Sequence, residues 1–295
     1  MVLVLEPSAQ TPKGRGHRLM GNASRDAEEI AEYYARGLER DRLAGGAGAL
    51  ELARTQVLLE RYLPEPPAVV VDVGGGPGRY AVWLAERGYH VHLVDLVPLH
   101  VEQARAAAST RPGAMLASAE VGDARALRLA DASVDAVLLL GPLYHLRERR
   151  ERLQVLAEAR RVCRPDGVVI AAAISRFAST LDGLHRGYLD DPAFAVVAAG
   201  DRRDGRHRNP TGNPAYFTTA YFHRPEDLAA ECSAAGLAHE ATLAVEGAGW
   251  LLADLDARLA DQQRRAVLLA ALATLEAEPT LLGVSPHLLA VARRR

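Results

Sequence analysis

One stretch restricts the fold more than any other: Val69-Val70-Val71-Asp72-Val73-Gly74-Gly75-Gly76-Pro77-Gly78. Its continuous β-branched run is the pattern of a strand buried on both faces, as in the middle of a parallel sheet. The run passes straight into glycines at 74, 76 and 78, which let the main chain bend tightly and let a ligand approach it with no Cβ in the way. Downstream, strands are expected at 90–96, 115–122, 134–140 and 168–174, and helices at 79–87, 98–109 and 147–162. Such alternation implies right-handed βαβ crossovers and a doubly wound α/β sheet. Arg164-Pro165-Asp166-Gly167 is a turn signal before the fifth strand.

The flanks follow other rules. Ile30, Tyr33, Tyr34 and Leu38 fall at helical spacing in a helix expected over 23–43, which Gly45, Gly46 and Gly48 interrupt before a second helix at 49–62. Beyond Ser175 the alternation breaks into a polar stretch over 176–223. Pro225 then opens a helix to 235, with Glu226 and Asp227 complementing the positive end of its dipole. A strand at 237–245, a helix at 251–275 and a strand at 287–292 complete the pattern. The expected organisation is a flexible leader (1–20), an N-terminal helical cap (21–66), a core (67–175), a lid insertion (176–224), and a completion of the core (225–295) with a helical insert at 250–280.

Composition narrows the function. A chain of 295 residues that is 49% hydrophobic can bury a large core. A formal net charge of -2 supplies no basic field, so no nucleic-acid partner is expected. The run Arg147-Glu148-Arg149-Arg150-Glu151-Arg152 fits a solvated helix face. No apolar run reaches the roughly 18 residues of a membrane span, and Met1–Leu5 lacks the basic lead-in of a signal peptide, so a cytoplasmic location with no membrane association is expected. Cys163 and Cys232 lie far apart and outside any Cys-x-x-Cys pair, so they read as buried spectators and no metal is expected. Lys13, the lone lysine, sits among Pro7, Pro12, Gly14 and Gly16. A pyridoxal-phosphate enzyme and a Walker-type nucleotide site both need a lysine elsewhere and are excluded.

The glycine turn suits two cofactor classes. Asp95 closes the run 91–94, and a carboxylate at the end of the second strand is placed to accept hydrogen bonds from ribose hydroxyls. A dinucleotide fingerprint counted from Gly74 needs glycine where Arg79 stands; counted from Gly76 it meets Ala81, an allowed variant that leaves a dehydrogenase open. The pattern Asp-x-Gly-x-Gly-x-Gly is met completely from Asp72, which has a use when the ligand carries a cationic amino-acid tail.

On these residues the sequence resembles the class I S-adenosylmethionine-dependent methyltransferases, in their type 11 and type 25-like small-molecule branch, over roughly 69–174. Val121-Gly122-Asp123-Ala124, Asp135-Ala136-Val137-Leu138 and the stretch 156–167 carry the likeness further. The resemblance implies a Rossmann-like, mostly parallel seven-stranded sheet. It also implies S-adenosylmethionine as cofactor, with S-adenosylhomocysteine as product, and methyl transfer to an O, N or C nucleophile of a small-molecule metabolite. By the same resemblance Gly74, Gly76 and Gly78 wrap the methionine part, Asp95 the ribose, and Asp123 with Ala124 the adenine, with Asp72 and Leu96 also counted as cofactor-binding. Tyr34 and Arg42 resemble cap elements that touch the methionine carboxylate.

Ligands of open α/β sheets lie outside the carboxyl ends of the strands where strand order reverses, so Gly141-Pro142-Leu143-Tyr144-His145, leaving the fourth strand, should face the reactive methyl. Related enzymes that methylate amide or ring nitrogens carry Asn/Asp-Pro-Pro-Tyr/Phe there, and Gly141 and Leu143 depart from it. His145 is the candidate base and Tyr144 a ring face for the sulfonium, unless both simply pack beneath the lid. For the acceptor the lid offers Arg176, His207, Asn209, Tyr216, Tyr221 and His223, against the alternative of a solvated loop with its own small core. The helical insert is either a pocket cap or a homodimer contact. Two other uses of the fold stay open: S-adenosylmethionine spent on intramolecular alkylation, and cofactor binding without catalysis.

Overall fold

The computed structural model describes residues 29–30, 32–34 and 37–295, the side chains of Leu38 and Arg40 excepted. The leader with Lys13 and the start of the helix expected over 23–43 lie outside the described residues.

Five strands run parallel in the order β3 (Ser118–Val121), β2 (His90–Asp95), β1 (Val69–Val73), β4 (Val134–Leu139), β5 (Cys163–Ser175). β9 (His287–Arg293) joins β5 antiparallel, and β8 (Ala238–Ala244) joins β9 antiparallel. The mostly parallel, doubly wound sheet is therefore the one expected, with the order reversing between β1 and β4. Two short strands that the sequence did not announce, β6 (Arg206–His207) and β7 (Ala220–His223), extend it.

Both faces of the sheet are buried, which explains the unbroken apolar runs. Val70, Val91, Leu138 and Ile170 pack with Leu58, Leu59, Trp83 and Leu84 on one side. Val71, Val137, Leu139 and Val169 pack with Val155, Leu156 and Leu228 on the other. Neighbouring residues thus point to opposite layers, and polarity at either would be penalised.

Three expectations are corrected. Arg164–Gly167 form no free turn: Asp166 N donates to Arg294 O at 2.7 Å and Arg294 N to Gly167 O at 3.1 Å, which draws these residues into β5. The helix expected over 251–275 is split into Leu255–Ala260 and Gln262–Leu275, because Asp261 turns out of the helix and caps the second piece at Arg264 N. The polar stretch 176–223 is largely helical, with Ala178–Arg186 and Pro192–Asp204. Asp191 caps the second of these at Ala193 N with Pro192 behind it, and Gly205 ends it at φ 75°.

The lid is tied to the sheet. β4 pairs with β5 only as far as Ala171, and beyond it β7 pairs with Ile174 and Ser175. Ser175 N points to Pro286 O beside β9, and Arg176 N points the opposite way to His223 O. β7 therefore continues the edge that β4 leaves.

The N-terminal cap is the helix Gly46–Tyr62, whose Leu50, Leu58 and Leu59 are fully buried, preceded by a chain that reverses at Gly37 with φ 73°. Among the described residues no helix is long and apolar enough to cross a membrane. Cys163 and Cys232 are buried and unbridged, and burial pushes their thiols up to about 11 and about 12.

Candidate cofactor and acceptor site

A cavity partly open to solvent lies at the carboxyl ends of β1, β2 and β4. Its floor is the turn after β1. Gly74 N donates to Val94 O at 2.7 Å, holding the turn against β2, and Gly74 adopts φ 68°. A Cβ there would stand 2.8 Å from the Pro142 ring, so the turn and the loop after β4 meet closely. Gly76 lines the same floor. Gly78 does not: its Cβ would strike Ala104 at 2.8 Å, so it serves helix packing. Asp72 is likewise absent from the cavity wall. Its carboxyl lies under Gly75, fully buried, and burial together with the nearby Asp95 raises it to about 7.

Asp95 and Leu96 line the wall at the end of β2. Asp95 is buried and accepts from Gly76 N at 2.8 Å, Val97 N at 2.8 Å and His100 Nδ1 at 3.1 Å. Asp123 and Ala124 line the far end. Both Asp123 oxygens are held by Arg125, with Nη2 at 2.7 Å. Burial alone would raise the Asp123 carboxyl, but Arg125 outweighs it and keeps the acid below its usual range. Arg125 also donates to Glu151 at 2.9 Å. The run from Arg147 is therefore no simple solvated face: Arg147 is buried beside the cavity, and Arg152 is 2% exposed and bound to Glu231 at 2.6 Å.

At the other end the cap meets the segment after β4, which is not the loop expected but a one-turn helix, Pro142–His145. Tyr34 and His145 share a hydrogen bond at 2.8 Å, and their rings meet edge-on at 5.3 Å. Tyr144 stands 4.7 Å from the His145 ring and Phe217 of the lid 6.0 Å from it. The surrounding protein lowers His145 to about 4, with Thr219 and Asp95 opposing only partly. Arg42 sits one layer behind the wall, its guanidinium on Glu39 at 2.8 Å and on Glu51 at 2.5 and 3.0 Å. Glu51, Glu246 and His287 come within 4.8 Å of one another there. Burial would lower His287, but Glu51 and Glu246 outweigh it and raise the imidazole to about 9, which makes the group an ion-paired cluster.

The six lid residues proposed for the acceptor do not line this cavity. Arg176 donates to Phe222 O at 2.7 Å and reaches Tyr221 and Asp227. His207 lies between Asp201 and Tyr216 O, both at 2.8 Å. Asn209 braces its own loop through Asn213 O and Phe217 O, and the Tyr216 hydroxyl donates to Asp191. Tyr221 lies under Arg152 at 3.7 Å, and His223 pairs with Glu231 at 3.2 Å. These side chains hold the lid together, and the lid approaches His145 through the Phe217 ring and the main chain at Thr219.

Sequence reasoning missed His100 and Arg125. Each had a signal: both follow a recognised acid closely, His100 on the first turn of the helix after Asp95 and Arg125 two residues after Asp123.

Residues 70–167 match the family model described as a methyltransferase domain. Over these residues the core is similar to the class I S-adenosylmethionine-dependent methyltransferases. The chain is 33% identical over 144 residues to the methyltransferase GfsG of Streptomyces halstedii, covering 48% of each. It is 33% identical over 114 residues to the ubiquinone/menaquinone biosynthesis C-methyltransferase UbiE of Acidiphilium cryptum, covering 38% of this chain and 45% of that one. The chain thus spans about half the length of the curated relatives it matches. Its fold resembles the PH0226 protein of Pyrococcus horikoshii, with TM-score 0.57 and 18% identity over 90% of this chain and 99% of the other.

S-adenosylmethionine is the cofactor of this methyltransferase family, and the cavity suits it. Bare main chain at Gly74 and Gly76 leaves room beside it, and the Asp95 carboxylate on the same wall is of a chemistry that would hold sugar hydroxyls. Leu96 and Ala124 provide apolar flanks for a base.

Proposed function

We propose that this chain is a methyltransferase acting on a small-molecule acceptor that enters beside Tyr34, Tyr144, His145 and Phe217. The observation that carries this reading is the single cavity in which the glycine floor, Asp95 and the aromatic wall meet. S-adenosylmethionine, when bound, supplies an electrophilic methyl group on a sulfonium. The protein's share of such a displacement is to align the acceptor, keep water out and deal with the acceptor's proton.

Gly74, Gly76 and Asp95 would hold the cofactor, and Tyr144 offers a ring face to its positive charge. His145 at about 4 stays neutral near pH 7 and stores a proton poorly there. With Nε2–H donating to the Tyr34 hydroxyl, its task is to accept at Nδ1 a hydrogen bond that orients the nucleophile. This favours acceptors that are already nucleophilic or acidic, such as phenols, enols and carboxylates, over simple alcohols. The likeness to two methyltransferases, one named for quinone biosynthesis, is consistent with such an acceptor.

The test is calorimetric titration with S-adenosylmethionine and S-adenosylhomocysteine, followed by product analysis with a panel of such acceptors. Asp95→Ala should weaken binding by about 1.5–3 kcal/mol, the range for hydrogen bonds to a charged group. Absence of binding by the unaltered protein would overturn the reading. Release of methylthioadenosine instead of S-adenosylhomocysteine would replace methyl transfer by intramolecular alkylation.

A further inference from the structure

The hydrogen-bonding capacity of Asp95 is nearly full before any ligand arrives. Oδ1 accepts from Val97 N at 2.8 Å and His100 Nδ1 at 3.1 Å, and Oδ2 accepts from Gly76 N at 2.8 Å. Each carboxylate oxygen offers two lone-pair directions, so Oδ1 is occupied and Oδ2 keeps one. A ribose presents two neighbouring hydroxyls. The carboxylate alone satisfies one of them.

His100 supplies what is missing. It lines the same cavity and is 4% exposed, and its Nε2 has no hydrogen-bond partner among the described residues. A carboxylate only accepts, so Nδ1 carries a proton toward Asp95, and in the tautomer with a single ring proton Nε2 is the acceptor. Tyr34 stands edge-on to the ring at 5.4 Å and limits its rotation. A buried acceptor without a partner is disfavoured until a donor reaches it.

We infer that His100 Nε2 receives the second ribose hydroxyl, so that the sugar is read by an Asp95–His100 pair and not by the carboxylate alone. The inference rests on the proposed S-adenosylmethionine site. Asp95 orients His100 while binding one hydroxyl itself, and His100 discriminates ribose from deoxyribose.

Calorimetric titration of the full chain tests it with S-adenosylhomocysteine and its 2′-deoxy and 3′-deoxy analogues. His100→Asn keeps an amide donor near Asp95 and removes the distal acceptor; His100→Gln restores a polar atom near the Nε2 position. His100→Asn should bind S-adenosylhomocysteine about tenfold more weakly, as loss of one such hydrogen bond implies. It should bind one of the two deoxy analogues as tightly as the unaltered protein does, and His100→Gln should recover part of the loss. Equal weakening toward all three ligands, or no weakening, would overturn the inference while leaving the cofactor site intact. Failure of the unaltered protein to bind S-adenosylhomocysteine would overturn the site reading and this inference with it. Matching thermal unfolding of the Gln variant and the unaltered protein secures the comparison if the Asn variant does not fold.

Discussion

Asp72→Asn should stabilise the protein, and more so as the pH rises. The carboxyl of Asp72 is fully buried beneath the glycine turn, and burial plus the charge of Asp95 raises it from an ordinary 3.8 to about 7. A raised carboxyl means that the folded chain holds a proton the unfolded chain releases. Below pH 3.8 both forms are protonated and nothing is lost. Between 3.8 and 7 stability falls as pH rises, and above 7 the whole penalty is present. At about 1.36 kcal/mol for each pH unit across that window, the penalty comes to about 4 kcal/mol. Roughly 1.7 kcal/mol of it is present at pH 5, so the advantage of the asparagine variant should grow by about 2.5 kcal/mol between pH 5 and pH 8. Asparagine is nearly isosteric and carries no charge, and the histidines titrate alike in both proteins. Urea denaturation of the pair at the two pH values measures the difference directly. An advantage that stays constant with pH, or a loss that deepens at pH 8, would refute the claim that Asp72 is a destabilising buried acid.

Gly74→Ala should destabilise the fold by about 1–2 kcal/mol from the left-handed backbone alone, with more from the Cβ meeting Pro142. Affinity for S-adenosylhomocysteine should fall with it, and an unchanged denaturation midpoint would remove the close contact between the two loops. His145 is held near 4 against an ordinary 6.5, so the unfolded chain takes up a proton that the folded chain refuses as pH falls from 6.5 to 4. Acid denaturation of the unaltered protein should therefore exceed that of His145→Gln by up to about 3 kcal/mol, less what solvent contact screens. His287 is raised to about 9, so its stabilisation is complete below 6.5 and lost as pH rises through 9. An imidazole resonance that titrates near 6.5 in nuclear magnetic resonance would dissolve the ion-paired cluster.

The elements that could be read in advance are those whose environment leaves one chemical option. β1 and β4 are buried along nearly their whole length, so Val, Leu and Ala dominate them around a single Asp each, and the helix Pro98–Ser109 carries its own start signal in proline. Asp95 stood out because a carboxylate at the end of a buried strand has little else to do. The lid was opaque for the opposite reason. Its polar residues are turned inward and satisfy one another: Asp201 accepts from Ser179 at 2.6 Å and from His207, and Glu231 binds both Arg152 and His223. Hydropathy reads such pairs as solvent-facing, and only the fold reveals who answers whom. Asp72 misled by position: it belongs to the motif yet lies under the turn, where sequence periodicity gives no depth. His100 was overlooked although its spacing to Ala104 places it on the buried face of its helix.

The junction of β7 with β5 bears on how molecules come and go. Because the lid continues the sheet through main-chain pairs and through Arg176 on Phe222 O, that rim is as stiff as the scaffold and cannot swing without tearing it. Among the described residues, the facing rim meets His145 and Phe217 through the Tyr34 phenol–imidazole bond and through ring edges. Tightening the Tyr34 rim should slow turnover by trapping product, with the strands beneath it undisturbed.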